Sequence, residues 1–138
     1  ARGALFGLTR NTGVPELVKA TLDSVVYQTK DLISAMEKDS GIKIKKIKVD
    51  GGMVNNNQFV QFLSNLLLCV CLRPKINETT SLGAAYLAGY QSGLIKKFTD
   101  INLKWKSEKK FVHKMNKRDI EKLYLGWKKA IKGALLVK

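Results

Sequence analysis

Ile47-Lys48-Val49-Asp50-Gly51-Gly52-Met53-Val54-Asn55-Asn56-Asn57 is the stretch on which the fold turns. Upstream, Ile42, Ile44, Ile47 and Val49 alternate with lysines, which predicts a β-strand ending at Asp50. Downstream, Phe59, Phe62, Leu63, Leu66 and Leu67 recur at helical spacing, which predicts a helix over 55–68. Two glycines between a strand and a helix let backbone approach a ligand without an intervening Cβ. The helix start adds free N–H groups suited to phosphate or a polar heterocycle. Three asparagines supply neutral donors and acceptors for a ribose or purine edge. The same letters also fit a plain tight turn closed by an asparagine cap.

Outward from this turn the strand–helix alternation continues. Val18, Leu22, Val25, Leu32 and Met36 predict a helix over 16–38, with Pro15 in its first turn and Ser40-Gly41 as its stop. Cys69 to Arg73 form the next strand, closed by Pro74, and alternation points both thiols to one face. A third helix follows Thr79-Thr80, hydroxyl residues suited to an N-cap, and ends at Gly93. Strand, helix, strand, helix is the pattern of an α/β layer, a parallel sheet covered by helices. Residues 96–114 are mixed, with a short strand expected at Phe111 to His113. Asn116 caps a last helix with Asp119 at its third position. On that helix Ile120, Leu123, Tyr124, Trp127, Ile131 and Leu135 form an apolar stripe among lysines, a docking face against the parent domain or a surface for anionic membranes.

The 138 residues, 45% apolar and 26% charged, have ordinary globular composition. A single compact domain is expected at this length. It divides into an α/β part, 1–95, and a basic tail, 96–138, carrying the terminal helix. No run approaches the ~18 apolar residues that span a bilayer. The chain opens Ala1-Arg2-Gly3, shows no signal peptide and has its first methionine at Met36, so a piece of a longer protein or a processed product is expected. The +14 charge is uneven: 11 basic against 7 acidic residues in 1–95, and 14 against 4 in the tail. Only Arg2, Arg10, Arg73 and Arg118 are arginine, whereas nucleic-acid recognition favours the arginine fork; surplus lysine fits a solvated surface. Cys69 and Cys71 lack the spacing of a zinc or redox site and are expected to be reduced core thiols of a cytoplasmic protein.

Three ordered blocks carry a family resemblance. Gly3-Ala4-Leu5-Phe6-Gly7-Leu8 with Glu16-Leu17-Val18-Lys19-Ala20-Thr21-Leu22-Asp23 resembles the second signature of the FGGY family of carbohydrate kinases. Asp50-Gly51-Gly52 with Asn56 resembles its adenosine motif, and Glu78-Thr79-Thr80-Ser81-Leu82-Gly83-Ala84-Ala85-Tyr86-Leu87-Ala88-Gly89 its next block. The match runs from Ala1 to about Gly93, with a looser echo at Gly126-Trp127-Lys128-Lys129-Ala130. Within the family the wording resembles the glycerol kinases, in Gly7-Leu8-Thr9-Arg10, in Asn56-Asn57 with Gln61-Phe62, and in Glu78-Thr79-Thr80.

The resemblance implies an actin-like, ribonuclease-H-like ATPase fold with ATP in a cleft between two domains. It implies transfer of the γ-phosphoryl of Mg²⁺-bound ATP to glycerol. Gly51, Gly52 and Asn56 are the implied nucleotide-binding residues: Gly52 through its backbone, Asn56 through a hydrogen bond from the helix start, with Asp50 and Gly51 shaping the turn. Gly83, Ala84, Ala85, Ala88 and Gly89 would let the third helix pack closely, and Glu78 to Thr80 would orient it. The family's catalytic base, glycerol pocket and phosphate loops precede this segment, so no catalytic residue and no Mg²⁺ ligand is expected within it, and the isolated chain is expected to be inactive. The amino-terminal part of the kinase, ATP or ADP, and glycerol are the expected partners, with neither nucleic acid nor membrane, in an enzyme expected to be a homo-oligomer. Asp23 and Asp31, beside Lys19 and Lys30, are expected to be solvated, and His113 to have a surface or packing role. The alternatives are a kinase of the same family for xylulose or gluconate and, from another class, a basic nucleic-acid-binding module on the lysine-rich tail; the latter lacks interleaved aromatic platforms.

Overall fold

A computed structural model describes residues 3–76, 78–97, 99 and 106–136. The beginning of the resemblance at Ala1 and most of 98–105 within the mixed segment lie outside the described residues.

Helix α1 spans Val14–Ser40. It starts where the Glu16 carboxylate accepts the Gly13 N–H at 2.9 Å, has Pro15 in its first turn, and stops at Gly41 in the left-handed region (φ 68°). The predicted stripe is only partly the buried one. Val26 is fully buried, with Leu22, Val25, Tyr27 and Ile33 packed around it, whereas Val18, Leu32 and Met36 are exposed. A helix covered along one narrow line buries fewer positions than its apolar face offers.

Strand β1, Lys46–Lys48, is shorter than the alternation predicts. The segment before it folds back onto the end of α1. Glu37 accepts from the Ile44 N–H and from Lys43 Nζ, both at 2.8 Å, and Ile42 stays exposed. A 3₁₀ turn, Gly52–Asn55, then precedes α2, Asn57–Leu67, which lies within the 55–68 span expected from the sequence. Strand β2, Val70–Pro74, leads to α3, Thr79–Gln91, strand β3, Ser107–Phe111, and α4, Lys117–Leu136.

The sheet has the order β1-β2-β3. β1 and β2 are parallel, with Ile47 opposite Cys71. β3 is antiparallel to β2, with Phe111 opposite Cys71 and an irregularity at Arg73/Pro74, where proline withdraws a donor from the ladder. The sheet is therefore mixed rather than parallel, and β3 lies before the Phe111–His113 position expected from the sequence. Only Phe111 of β3 is buried, so lysine-rich positions 109 and 110 gave no apolar signal.

α2 supplies most of the core. Phe59, Val60, Leu63, Leu66 and Leu67 meet Cys69, Cys71, Phe111, Ile120 and Val26. Both thiols are buried and free, as alternation predicted. Ser64, fully buried, places its hydroxyl 2.7 Å from the Cys69 carbonyl and 3.2 Å from that of Phe111. Asn65 Oδ1 accepts the Lys114 N–H at 2.8 Å, and Gln61 donates to the Val112 carbonyl at 2.8 Å. These polar side chains fasten α2 to the end of β3, since buried backbone groups need partners.

α3 buries a single side chain, Tyr86. A Cβ on Gly89 would come 2.9 Å from Ile95, so glycine there serves close packing, while one on Gly83 would meet nothing within 4 Å. The packing role expected of Gly83 is thus not met within the described residues. Thr79 and Thr80 lie inside the helix, behind an N-cap at Glu78, instead of capping it.

α4 starts as expected. Asn116 Oδ1 accepts the Asp119 N–H at 2.9 Å and its amide donates to the Asp119 carboxylate at 2.7 Å. The helix then docks by half of its stripe. Ile120 is buried, and Trp127 stacks on Tyr27 of α1 at 5.3 Å between centroids, 11° from parallel, while Leu135 is 67% exposed. Asp31 of α1 accepts hydrogen bonds from Trp127 Nε1 at 2.8 Å, from Lys128 Nζ at 2.6 Å and from the Tyr124 hydroxyl. The expectation that Asp31 is merely solvated is corrected by this cluster: its partners come from α4, 93 or more positions away in sequence. Burial works against its charge, but the hydrogen bonds from Lys128, Tyr124 and Trp127 outweigh that and hold its carboxyl below the usual range.

Candidate functional site

The turn after β1 brings Gly51, Gly52 and Asn56 together at the carboxyl end of the parallel strand pair, the edge where ligands collect in α/β sheets. Gly51 has φ 88° and ψ 174°, a backbone region that essentially only glycine occupies. Its carbonyl accepts the Val54 N–H at 3.3 Å, and the Met53 carbonyl accepts the Asn56 N–H at 3.1 Å, closing one 3₁₀ turn. Val54 is buried as the plug that seats this turn on the core. Gly52 has no such backbone demand, and a Cβ there would meet nothing within 4 Å. Glycine at this position leaves an exposed, open stretch of main chain.

Asn56 is the N-cap of α2. Its Oδ1 accepts from the Gln58 N–H at 2.9 Å and the Phe59 N–H at 3.1 Å. The carboxamide oxygen is thus committed to the helix, as the plain-turn reading allows, and the exposed Nδ2 has no partner among the described residues. Holding the oxygen fixes the amide plane and presents the N–H₂ outward as a neutral donor.

Two further residues shape the turn. The Thr79 hydroxyl at the start of α3 donates to the Asp50 carboxylate, so the Glu78–Thr80 segment is tied to the turn through Thr79. Arg73, 7% exposed at the end of β2, donates from Nη1 to the Val54 carbonyl at 2.8 Å, Asn57 Oδ1 at 3.1 Å and the Asn55 carbonyl at 3.4 Å. Its opposite edge meets Glu108 of β3, with Nε to Oε2 at 3.1 Å. Sequence reasoning missed Arg73. The available signal was an arginine inside an apolar strand, since a buried guanidinium requires partners.

Beside Asn56 opens a groove of about 1260 Å³ between α1, α2 and β3, with apolar walls from Val14, Val18, Leu22 and Phe62. Lys109, Lys110 and Lys114 add cationic side chains to its lining. His113 is exposed, and Asp23 pairs with Lys19. Among the described residues no group of three or more His, Cys, Asp or Glu could hold a metal, and no helix is long and apolar enough to cross a membrane.

The chain is similar to known proteins over nearly its whole length. The glycerol kinase of Geobacillus sp. (strain WCH70) is 52% identical over 137 residues, which cover 99% of this chain and 28% of that protein. The crystal structure of Plasmodium falciparum glycerol kinase with ADP superposes with a TM-score of 0.82 at 31% identity, over 96% of this chain and 26% of that one. The ligand-bound xylulose kinase of Lactobacillus acidophilus matches with a TM-score of 0.73 at 23% identity, over 100% of this chain and 28% of that one, a likeness of fold alone. The chain thus spans about a quarter of the length of these relatives. Residues 1–92 match the carboxyl-terminal domain of the FGGY family of carbohydrate kinases, a span that contains the Gly51–Asn56 turn, the Arg73 anchor and all of α3, and by that match the chain belongs to this family.

Proposed function

We propose that this chain is the carboxyl-terminal, nucleotide-binding part of an ATP-dependent glycerol kinase, in which Gly51, Gly52 and Asn56 meet the adenosine end of ATP. One observation carries the reading: Gly52 is a glycine that neither backbone conformation nor neighbouring atoms require, next to an outward-facing amide donor on Asn56. A nucleotide lying against that main chain accounts for both. Likeness to glycerol kinases over nearly the whole chain supports glycerol as the acceptor. The division into a nucleotide-binding part, 1–95, and a basic tail, 96–138, belongs to the same reading.

In this reading the Mg²⁺-bound nucleotide supplies the phosphoryl group, which passes to a glycerol hydroxyl while ADP leaves. This chain's share is positioning, which is how much of phosphoryl-transfer catalysis works. Gly51 bends the main chain, Gly52 keeps it open, Asn56 Nδ2 donates to the base or ribose, and Asp50 with Thr79 fixes the turn against α3. The base that takes the hydroxyl proton and the Mg²⁺ ligands belong to the amino-terminal part. The isolated chain is accordingly inactive. The complete enzyme is cytoplasmic and homo-oligomeric.

Asn56→Asp in the complete kinase tests the assignment. Aspartate keeps the cap oxygen, so α2 stays intact, but it removes the donor. Loss of a hydrogen bond of ~0.5–1.5 kcal/mol weakens ATP binding by roughly threefold to tenfold, and the added negative charge can only deepen the loss. Glycerol affinity hardly moves. Alanine at Asn56 also removes the cap, at a cost of about 1 kcal/mol to the helix. Asn55→Ala and Asn57→Ala cost less ATP affinity than Asn56→Ala, although Asn57 is engaged by Arg73 and is no inert control. Unchanged ATP affinity in Asn56→Asp refutes the assignment.

A further inference from the structure

The nucleotide turn is held by few contacts of its own. Its two backbone bonds, at 3.3 and 3.1 Å, close a single 3₁₀ turn, and it begins with two glycines, which lose the most conformational freedom on ordering. Val54 seats it from below. The one described side chain from outside the segment that reaches several points along it is Arg73, which meets the Val54 and Asn55 carbonyls and the Asn57 side chain, spanning the residues on both sides of Asn56. Glu108 aligns the guanidinium by accepting from Nε at 3.1 Å and Nη2 at 3.4 Å, which leaves Nη1 directed at the turn. A planar fork can hold two such directions at once, and a lysine ammonium cannot.

We propose that Arg73 is a positioning residue for nucleotide binding: by clamping the Val54 and Asn55 carbonyls and Asn57, it sets the angle at which Gly52 and the Asn56 amide face the adenosine end of the nucleotide. This rests on the reading of the turn as the nucleotide site. Arg73 is 7% exposed and its fork is occupied by protein acceptors, so it acts through the turn and does not touch the ligand. Glu108 of β3 shares the role, which links the strand after the mixed segment to the nucleotide turn through one guanidinium.

The test compares Arg73→Lys, Asn57→Ala and Asn56→Asp in the complete kinase. ADP binding is measured by calorimetry, glycerol KM by steady-state kinetics, and turn rigidity by hydrogen exchange at the Val54 and Asn56 amides. Arg73→Lys is expected to raise the ADP Kd about fivefold to twentyfold, as loss of one to two hydrogen bonds predicts, and to speed exchange at both amides. Glycerol KM stays within about twofold, because a local clamp does not reach the other substrate. Asn57→Ala removes one acceptor and leaves the guanidinium its other partners, so it carries the test should Arg73→Lys not fold. It raises the ADP Kd about twofold to fourfold, a weaker effect than the loss of the fork. A glycerol KM that rises in step with the ADP Kd makes Arg73 a general structural residue and overturns the proposal. If Asn56→Asp weakens ADP binding while Arg73→Lys and Asn57→Ala leave it unchanged, the positioning role alone falls. If Asn56→Asp leaves ADP binding intact, the nucleotide reading falls and takes the proposal with it.

Discussion

Replacing Asp31 with alanine removes the acceptor on which three donors of α4 converge. Trp127 Nε1 at 2.8 Å, Lys128 Nζ at 2.6 Å and the Tyr124 hydroxyl all lose their partner, and the stack of Trp127 on Tyr27 loses the group that aligns it. Sheltered hydrogen bonds to a charged group contribute about 1.5–3 kcal/mol each. The Asp31 side chain is 33% exposed and Lys128 49%, so water restores part of each bond and a discounted total of about 2 kcal/mol is expected. For a domain of this size that lowers Tm by about 5–8 °C. Asp31→Asn keeps the shape and one acceptor, and costs about half as much. The pH dependence gives a second handle. The folded carboxyl lies below its unfolded value of about 3.9, so its stabilisation is complete above that pH and disappears as pH falls through the folded pKa. Thermal unfolding followed by circular dichroism at pH 7 and at successively lower pH checks both. The gap between the parent chain and Asp31→Asn closes in acid. A gap unchanged by pH, or an Asp31→Ala chain within 0.5 kcal/mol of the parent at neutral pH, refutes the claim that this carboxylate latches α4 to α1.

Paired glycine substitutions separate conformation from contact. Gly51→Ala, at φ 88°, destabilises the chain by about 1–3 kcal/mol in chemical denaturation, whereas Gly52→Ala, with open space around it, stays within about 0.5 kcal/mol and weakens nucleotide binding instead. Cys71 is fully buried, and its hydrogen bond with Cys69 and its burial both push its thiol pKa up, so a thiol reagent labels Cys71 only after unfolding, as mass mapping of the labelled site checks. Leu5, Phe6, Leu8, Val14 and Val18 are each more than half exposed, so sedimentation detects concentration-dependent self-association and a hydrophobic dye binds the chain; a dye-silent monomer at millimolar concentration contradicts this.

Much of the fold was legible because it obeys local rules. Pro15 and Gly41 bracket α1, Asn116 with Asp119 starts α4, and alternation buried both cysteines. Gly51, Gly52 and Asn56, the residues singled out as candidates, are neighbours in sequence and stay together in one turn. The failures have one physical cause, which is that long-range partners decide them. Nothing near Asp31 announces Tyr124, Trp127 and Lys128, and nothing near Arg73 announces Glu108 and the Val54 carbonyl. β3 was expected too late in the sequence, at 111–113, because its side chains other than Phe111 face solvent and leave no apolar signal over 107–110. Asn56 lies at the helix start, as expected, but its oxygen is committed to capping α2, which composition cannot express.

The three-stranded sheet has a consequence for how copies of this chain meet. β1 and β3 each pair on one side only among the described residues, which leaves two strand borders as templates for further pairing. Both are guarded by like charge, with Lys46 and Lys48 on β1 and Lys109 and Lys110 on β3. Two such borders brought together would set lysine against lysine, at a distance where repulsion is unscreened in dilute salt. The charge therefore disfavours strand addition between copies, the contact that propagates into fibres. Raising the salt concentration screens that charge and weakens the guard on both borders.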